Sequence, residues 1–491
     1  MKLPSAILLL IFSALISALP HKYNDGKKNI IFMVSDGLGI SGITAARQYK
    51  QTSGNLTNSE AVLDIENYLI GSVRTKSSSQ LVTDSAAAGT AFAAGVKSYN
   101  GAISVDPHGK PVGTFYEGAK LLNYSTGIVS TTFVQDATIC TPNTHVLTRK
   151  SVDLIATQQL GYDHPLGQVI DVILGGGRQY LHGVNQTQYG TKGKRSDGID
   201  YIAKAQEDGW TYLNNKTDFN ELAQSGEVKL PLLGLFDTGS LPYNIDTNLT
   251  EIPSLAEMSL LAIDQLVKAT ENTEQGFVLL LEGARIDHGG HANDPVALAT
   301  DTLAYSDAWK AVIDRVSTLD TETLVVSTSD HETGGFALAQ NDVYDYYPDV
   351  LVKTPHSVEY ALKVYAKYNG TDNANYLRSE ILEGVLNMNT SNITETDLVS
   401  MVKSDDLSTD IVGILSDQAG VAWTTMGHSA QDVPLYAYSN TKEGYNRILS
   451  ALGSSIENTE IPAFFAEELG VDLEEVTELI QDIAVKPATK A

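Results

Sequence analysis

The segment Glu282-Gly283-Ala284-Arg285-Ile286-Asp287-His288-Gly289-Gly290-His291 packs two carboxylates and two imidazoles into a single short stretch. Asp287 and His291 are four residues apart, so one helical turn carries both on the same side, as two ligands of one metal ion must be. Gly289 and Gly290 let the backbone turn sharply and come close to an ion. By itself the segment reads equally well as a polar loop with satisfied side chains. The same chemistry at other strand ends favours the metal.

Those ends are legible as apolar runs that stop at polar clusters. Gly276 to Leu281 is such a run and leads into Glu282; Asn29 to Val34 leads into Ser35-Asp36-Gly37. Thr323 to Val326 leads into Asp330-His331-Glu332-Thr333-Gly334-Gly335, and Gly127 to Thr132 leads to Asp136-Ala137-Thr138 and then Arg149. Near-continuous apolar runs of this length predict buried strands of a parallel sheet, whose carboxyl edge is where ligands collect. Thr83-Asp84-Ser85-Ala86 opens an alanine-rich run. Asp or Ser there can simply cap a helix, but a serine hydroxyl at a helix N-terminus also sits where a phosphate binds, and nearby cations make it a nucleophile. Arg149 on its own reads as a surface charge; beside a phosphate its guanidinium would hold two oxygens in a fork. Gly427-His428 precedes a late strand at Leu435 to Tyr438.

Elements that position these clusters follow from periodicity. Leu255 to Val267 and Val296 to Leu319, the latter after Pro295, carry a helical apolar period. Residues 190–250 read as surface excursions, and 343–422, rich in Tyr, Asn and Asp, as an insertion outside the sheet.

Composition bounds the function. The 491 residues carry 33 basic and 60 acidic side chains, a net charge of −27, which argues against nucleic acid and anionic membrane as partners. A phosphate site in such a chain needs strong local positive charge, such as metal ions. Met1 to Leu19, with one lysine before a short apolar run, predicts a secretory signal over 1–20 rather than an anchor, and no apolar C-terminal run supports a lipid anchor. Cys140 is the single cysteine, so no intrachain disulfide can form. Asn-X-Ser/Thr sequons at Asn55, Asn123, Asn185, Asn215, Asn248, Asn369, Asn389 and Asn392 fit a secreted glycoprotein.

Taken in order, these motifs resemble the alkaline phosphatase family over most of residues 28–450. The resemblance implies a three-layer α/β/α fold with a large, mostly parallel central sheet, a catalytic domain over 21–491, and a crown-like insertion at about 343–422 on a homodimer interface. It implies hydrolysis of phosphate monoesters at alkaline pH with two Zn2+ and one Mg2+ per subunit. Carried over by position, Asp287, His291 and His428 hold one zinc, and Asp36, Asp330 and His331 a second, beside a Ser85 nucleophile that becomes phosphoserine. Asp36, Thr138 and Glu282 hold magnesium with Asp136 in or near that shell, and Arg149 clamps the phosphate. His288 stands where bacterial members usually carry lysine. It either contacts the substrate as a neutral imidazole or joins Asp136 on the third metal. A calcium site of animal members has no traceable counterpart. A related sulfatase or phosphodiesterase is the alternative enzyme, although Ser85 lacks the sulfatase context of Cys/Ser-X-Pro-X-Arg. A phosphate- or zinc-binding protein without catalysis would need a missing role residue, and none is missing.

Overall fold

A computed structural model describes residues 26–486; the signal expected at 1–20 lies outside them. Its centre is a ten-stranded sheet. Lys28–Val34 lies between Phe277–Glu282 and Glu322–Thr328, parallel to both, and Ser125–Phe133 continues the parallel order beyond Phe277–Glu282. Val172–Gly176, Leu232–Leu235 and Thr211–Leu213 complete that side. On the other side Val433–Ser439 runs antiparallel to Glu322–Thr328, followed by Leu69–Arg74 and Ser455–Glu457.

The central strands read as unbroken apolar runs because both faces are covered. Successive side chains alternate between faces. Ile31, Met33, Leu279, Leu281 and Val325 enter one core, while Ile30, Phe32, Val34, Val278, Leu280, Leu324 and Val326 enter the other. Helices Ile40–Gly54, Leu255–Ala269 and Pro295–Val316 cover the first face, with Trp309 fully buried there. Phe115–Leu121, Tyr201–Glu207, Lys442–Leu452 and Glu460–Leu469 cover the second. This is the expected three-layer α/β/α arrangement.

Residues 348–419 add helices and no strand, and their buried Leu351, Leu377, Leu398 and Leu415 extend the first core. The reading of 190–250 as surface excursions is corrected at Thr211–Leu213 and Leu232–Leu235, which pair into the sheet edge. The four-residue run behind Pro231 is too short to stand out by periodicity, yet all of it is buried. Leu69–Arg74 also escapes the pattern because only Val73 in it is buried. Among the described residues no helix is long and apolar enough to cross a membrane.

Candidate active site

Strand register brings the polar clusters to one level. Val34 lies opposite both Glu282 and Thr328, and Glu282 lies opposite Ser130. Asp36, Glu282, Asp330, His331, Asp136 and Thr138 therefore all leave the same carboxyl edge within a few residues of it. Gly37, at φ +78°, lets the Asp36 turn press on the next segment: a Cβ there would stand 2.5 Å from Asp287 Cα. Asp287 and His291 lie on the helix Arg285–His291, the predicted shared turn. His428 arrives on a two-residue strand, His428–Ser429, antiparallel to Glu332–Thr333, with His428 opposite Thr333.

Ser85 is the first residue of the helix Ser85–Ala94, whose cap Asp84 accepts from the Ala87 N–H at 3.0 Å. Its Oγ lies 3.1 Å from His331 Nε2. Arg149 faces the same opening, donating to Asp136 Oδ1 at 2.7 Å and to the Ala137 carbonyl at 3.0 Å, with Asp84 Oδ2 at 3.5 Å. An open cleft of about 650 Å³, bordered by Thr83, Asp84, Asn100, His291, Gly427 and His428, lies beside the start of the helix Ser85–Ala94.

Three histidines point the same kind of nitrogen into the cluster. His428 Nδ1 faces the Thr83 carbonyl at 2.8 Å and His291 Nδ1 faces the Met426 carbonyl at 2.5 Å, so each carries its hydrogen on Nδ1. Thr333 Oγ1 donates to Asp287 Oδ1 at 2.5 Å, which leaves it to accept from His331 Nδ1 at 3.2 Å. All three Nε2 atoms are thereby free as ligands, the orientation metal-binding imidazoles are given by their outer partners. His428 Nε2 and His291 Nε2 are 3.1 Å apart, with Asp287 oxygens at 3.6 and 3.4 Å respectively. Two facing lone pairs beside a carboxylate call for a cation between them. His331 Nε2 lies 3.0 Å from Asp330 Oδ2 and 3.8 Å from Asp36 Oδ1, and its ring stacks on His428 at 3.5 Å. Its donor atom therefore gathers with Asp36 and Asp330 and also with Asp287 and His428.

The electrostatics point the same way. Asp36 is pushed well above the ordinary carboxylate range by burial and then by Asp330, Asp287 and Glu282, and its Oδ1 is buried without a hydrogen-bond partner. Glu282 is pushed up to about 8 by burial, against the Ser130 hydrogen bond, with Asp136 and Asp330 adding to the rise. Burial also dominates His428, lowered to about 4, with help from His331. A group of buried acids that repel one another, with Arg149 as the nearby cation, is a donor set built for metal ions.

Each site residue taken from the sequence reaches this region. Thr138 donates its N–H to Glu282 Oε1 at 3.3 Å and its hydroxyl to Asp330 Oδ2 at 3.3 Å. The supports were not foreseen: Ser130 on Glu282 at 2.6 Å, Thr333 between Asp287 and His331, and Glu332, which accepts from the Gly335 and Phe336 N–H groups and from the Ser429 hydroxyl. Only Thr333 and Glu332, inside the Asp330–Gly335 motif, carried a signal. His288 differs from the three ligand-type histidines, because its Nδ1 faces the Arg285 guanidinium at 2.7 Å.

A further buried cluster, Glu117 with His145 and His164, also brings metal-type donors together. His164 Nδ1 accepts from the Leu166 N–H at 3.1 Å, so its hydrogen sits on Nε2, pointing at Glu117 at 2.8 Å. A neutral imidazole bound through Nε2 would need that hydrogen on Nδ1. As placed, His164 serves Glu117 as a hydrogen-bond donor.

The family profile described as alkaline phosphatase matches residues 27–471. The chain is 42% identical over 477 residues to the repressible alkaline phosphatase of Saccharomyces cerevisiae, covering 93% of this chain and 84% of that protein. It is 37% identical over 475 residues to the alkaline phosphatase of Schizosaccharomyces pombe, covering 95% and 85%. Among solved structures, the cold-active alkaline phosphatase of the psychrophile Shewanella sp. superposes with a TM-score of 0.73 at 27% identity, covering 90% of this chain and 99% of that one.

Proposed function

The chain belongs to the alkaline phosphatase family and is a metal-dependent phosphomonoesterase, and from that premise we propose that Ser85 is its nucleophile and that two zinc ions and one magnesium ion serve it. Asp287, His291 and His428 would hold one zinc, Asp36, Asp330 and His331 the second, and Asp36, Thr138 and Glu282 the magnesium, with Asp136 beside it. The observation that carries this reading is the inward set of three Nε2 lone pairs among buried carboxylates at the foot of Ser85. When bound, the ions supply the positive charge that activates hydroxyl and water oxygens and stabilises a leaving alkoxide.

Ser85 Oγ attacks phosphorus and gives up its proton to solvent, the bond from phosphorus to the substrate oxygen breaks, and that oxygen takes up a proton from solvent as the alcohol departs. Water then attacks the phosphoserine, the bond from phosphorus to Ser85 Oγ breaks, and inorganic phosphate leaves. The helix N-terminus behind Ser85 favours the transferring group's negative charge, and the Arg149 guanidinium holds two of its oxygens. Asp136 and the Ala137 carbonyl keep that guanidinium aimed.

Secretion as a glycosylated homodimer belongs to the same proposal. All eight sequon asparagines are exposed, which supports glycan attachment. Residues 343–422 would form the crown-like insertion at the dimer interface, a reading supported by the fully exposed Tyr344 and the partly exposed Val343 and Tyr347.

Metal analysis with p-nitrophenyl phosphate turnover, before and after chelation, tests the core of the proposal. Chelation should abolish turnover, and zinc plus magnesium should restore it. Ser85→Ala should lose most turnover while retaining metal, and acid trapping with labelled substrate should mark Ser85. Full activity without zinc, or a label elsewhere, would overturn it.

A further inference from the structure

Arg285 stands two residues before Asp287 and has no part in the mechanism above. It is nevertheless buried and tightly held. Its guanidinium lies 3.7 Å over the Tyr243 ring, and one nitrogen donates to Glu359 Oε2 at 2.7 Å. The other terminal nitrogen donates to His288 Nδ1 at 2.7 Å. A guanidinium has only hydrogens to offer, so the imidazole nitrogen facing it must present its lone pair. Neutral His288 then carries its hydrogen on Nε2. That atom has no hydrogen-bond partner among the described residues, and the side chain is only half-buried.

This arrangement is the reverse of the one at His291, His331 and His428. Their Nδ1 atoms face oxygens that accept a hydrogen, which frees Nε2 for a cation. At His288 a cation faces Nδ1 instead, so its Nε2 is an N–H group. An N–H group repels a metal ion and attracts an anion.

We infer that Arg285 and Glu359 are positioning residues for phosphate recognition: Glu359 braces Arg285, and Arg285 locks His288 Nε2–H as a hydrogen-bond donor to the phosphoryl oxygens. The inference rests on the phosphomonoesterase mechanism proposed for Ser85 and deepens it. It decides between two roles left open for His288, removing it from the third metal's ligands. It also gives the segment 343–422 a chemical role, because Glu359 on the helix Val358–Tyr365 reaches across 74 residues of sequence to set an active-site tautomer.

The test uses the metal-loaded, full-length enzyme and three variants, Arg285→Met, His288→Gln and the double substitution. Competitive inhibition by inorganic phosphate, KM and kcat for p-nitrophenyl phosphate, and bound zinc and magnesium are measured on each. Loss of one hydrogen bond to a charged group should weaken phosphate inhibition about tenfold in each single variant, with metal content unchanged. If Arg285 acts through His288, the double variant should be no weaker than either single one. Phosphate inhibition unchanged in Arg285→Met, an effect of about a hundredfold in the double variant, or loss of metal in His288→Gln would each overturn the inference. Should Arg285→Met fail to fold, Glu359→Gln, at a side chain 36% exposed, replaces it. It should weaken phosphate inhibition about threefold, and an unchanged constant would overturn the inference. A wild-type enzyme that phosphate does not inhibit would also overturn it, whereas failure of the metal-loaded wild type to hydrolyse p-nitrophenyl phosphate would remove the mechanism on which the inference stands.

Discussion

Glu117→Gln is the substitution whose consequence the structure fixes most closely. Glu117 is fully buried, and its carboxylate meets donors on every side. Oε1 accepts from His145 Nε2 and His164 Nε2, both at 2.8 Å, and Oε2 accepts from the Thr114 N–H at 2.8 Å. Burial alone would raise this carboxyl, but His145 and His164 overcome it and lower it from 4.5 to about 2. At about 1.4 kcal/mol per pH unit, that difference is worth about 3 kcal/mol of stability near neutrality. Because the folded value lies below the ordinary one, the contribution is complete above about pH 4.5 and fades as pH falls towards 2. Glutamine keeps the shape but loses the charge, and whichever way its amide is turned, an NH2 group meets a donor.

The assay is urea unfolding of both proteins from pH 7 down to pH 3, with metal concentrations matched. Metal loss at acid pH is common to both and cancels in the difference. The gap should be about 3 kcal/mol at pH 7 and should narrow steadily below pH 4.5. A gap under about 1 kcal/mol at pH 7, or one that persists undiminished at pH 3, would refute the account of the triad as a buried ionic clasp.

Thr333→Val removes the hydroxyl shared by Asp287 and His331, and equilibrium dialysis should show zinc affinity reduced about 10- to 100-fold with the fold retained. Gly37→Ala places a methyl group 2.5 Å from Asp287 Cα at a left-handed φ; it should lower stability by about 2 kcal/mol or more and lose zinc and turnover together, checked by thermal melting and metal analysis. Tyr344→Asp, at the most exposed aromatic of the segment 343–422, should shift sedimentation towards monomer if that surface is the dimer interface.

Sequence made the strand ends legible because each central strand is buried on both faces and so forms an unbroken apolar run. Ile30 to Val34 and Phe277 to Leu281 have no polar interruption, and their first polar residues fall at the carboxyl edge. Leu69–Arg74 stayed invisible because its residues are mostly half-exposed, and Leu232–Leu235 because four residues do not establish a period. The outer supports were harder still. Nothing about Ser130 in a run of serine and threonine reveals that its hydroxyl binds Glu282, since that contact spans 152 residues. Nor does sequence show which nitrogen of a histidine faces inward. His288 and His291 stand three residues apart on one short helix, and only their opposite partners at Nδ1, a guanidinium and a carbonyl, separate a neutral imidazole with its hydrogen on Nε2 from one with its hydrogen on Nδ1.

The net charge of −27 sets the remaining physical problem, because the substrate is an anion. Distance resolves much of it. At physiological ionic strength the screening length is about 8 Å, so most surface acids contribute little inside the cleft. The acids that matter are Asp36, Glu282, Asp287 and Asp330, and they are buried behind Ser85. Without cations they would repel phosphate across a region of weak screening. With cations the same carboxylates concentrate positive charge at the carboxyl edge, facing the helix N-terminus and Arg149. The raised protonation of Asp36 and Glu282 in the protein alone expresses the same imbalance. Acidic composition and a phosphate substrate are therefore compatible, because the acids that would most oppose substrate are the ones that recruit the charge to bind it.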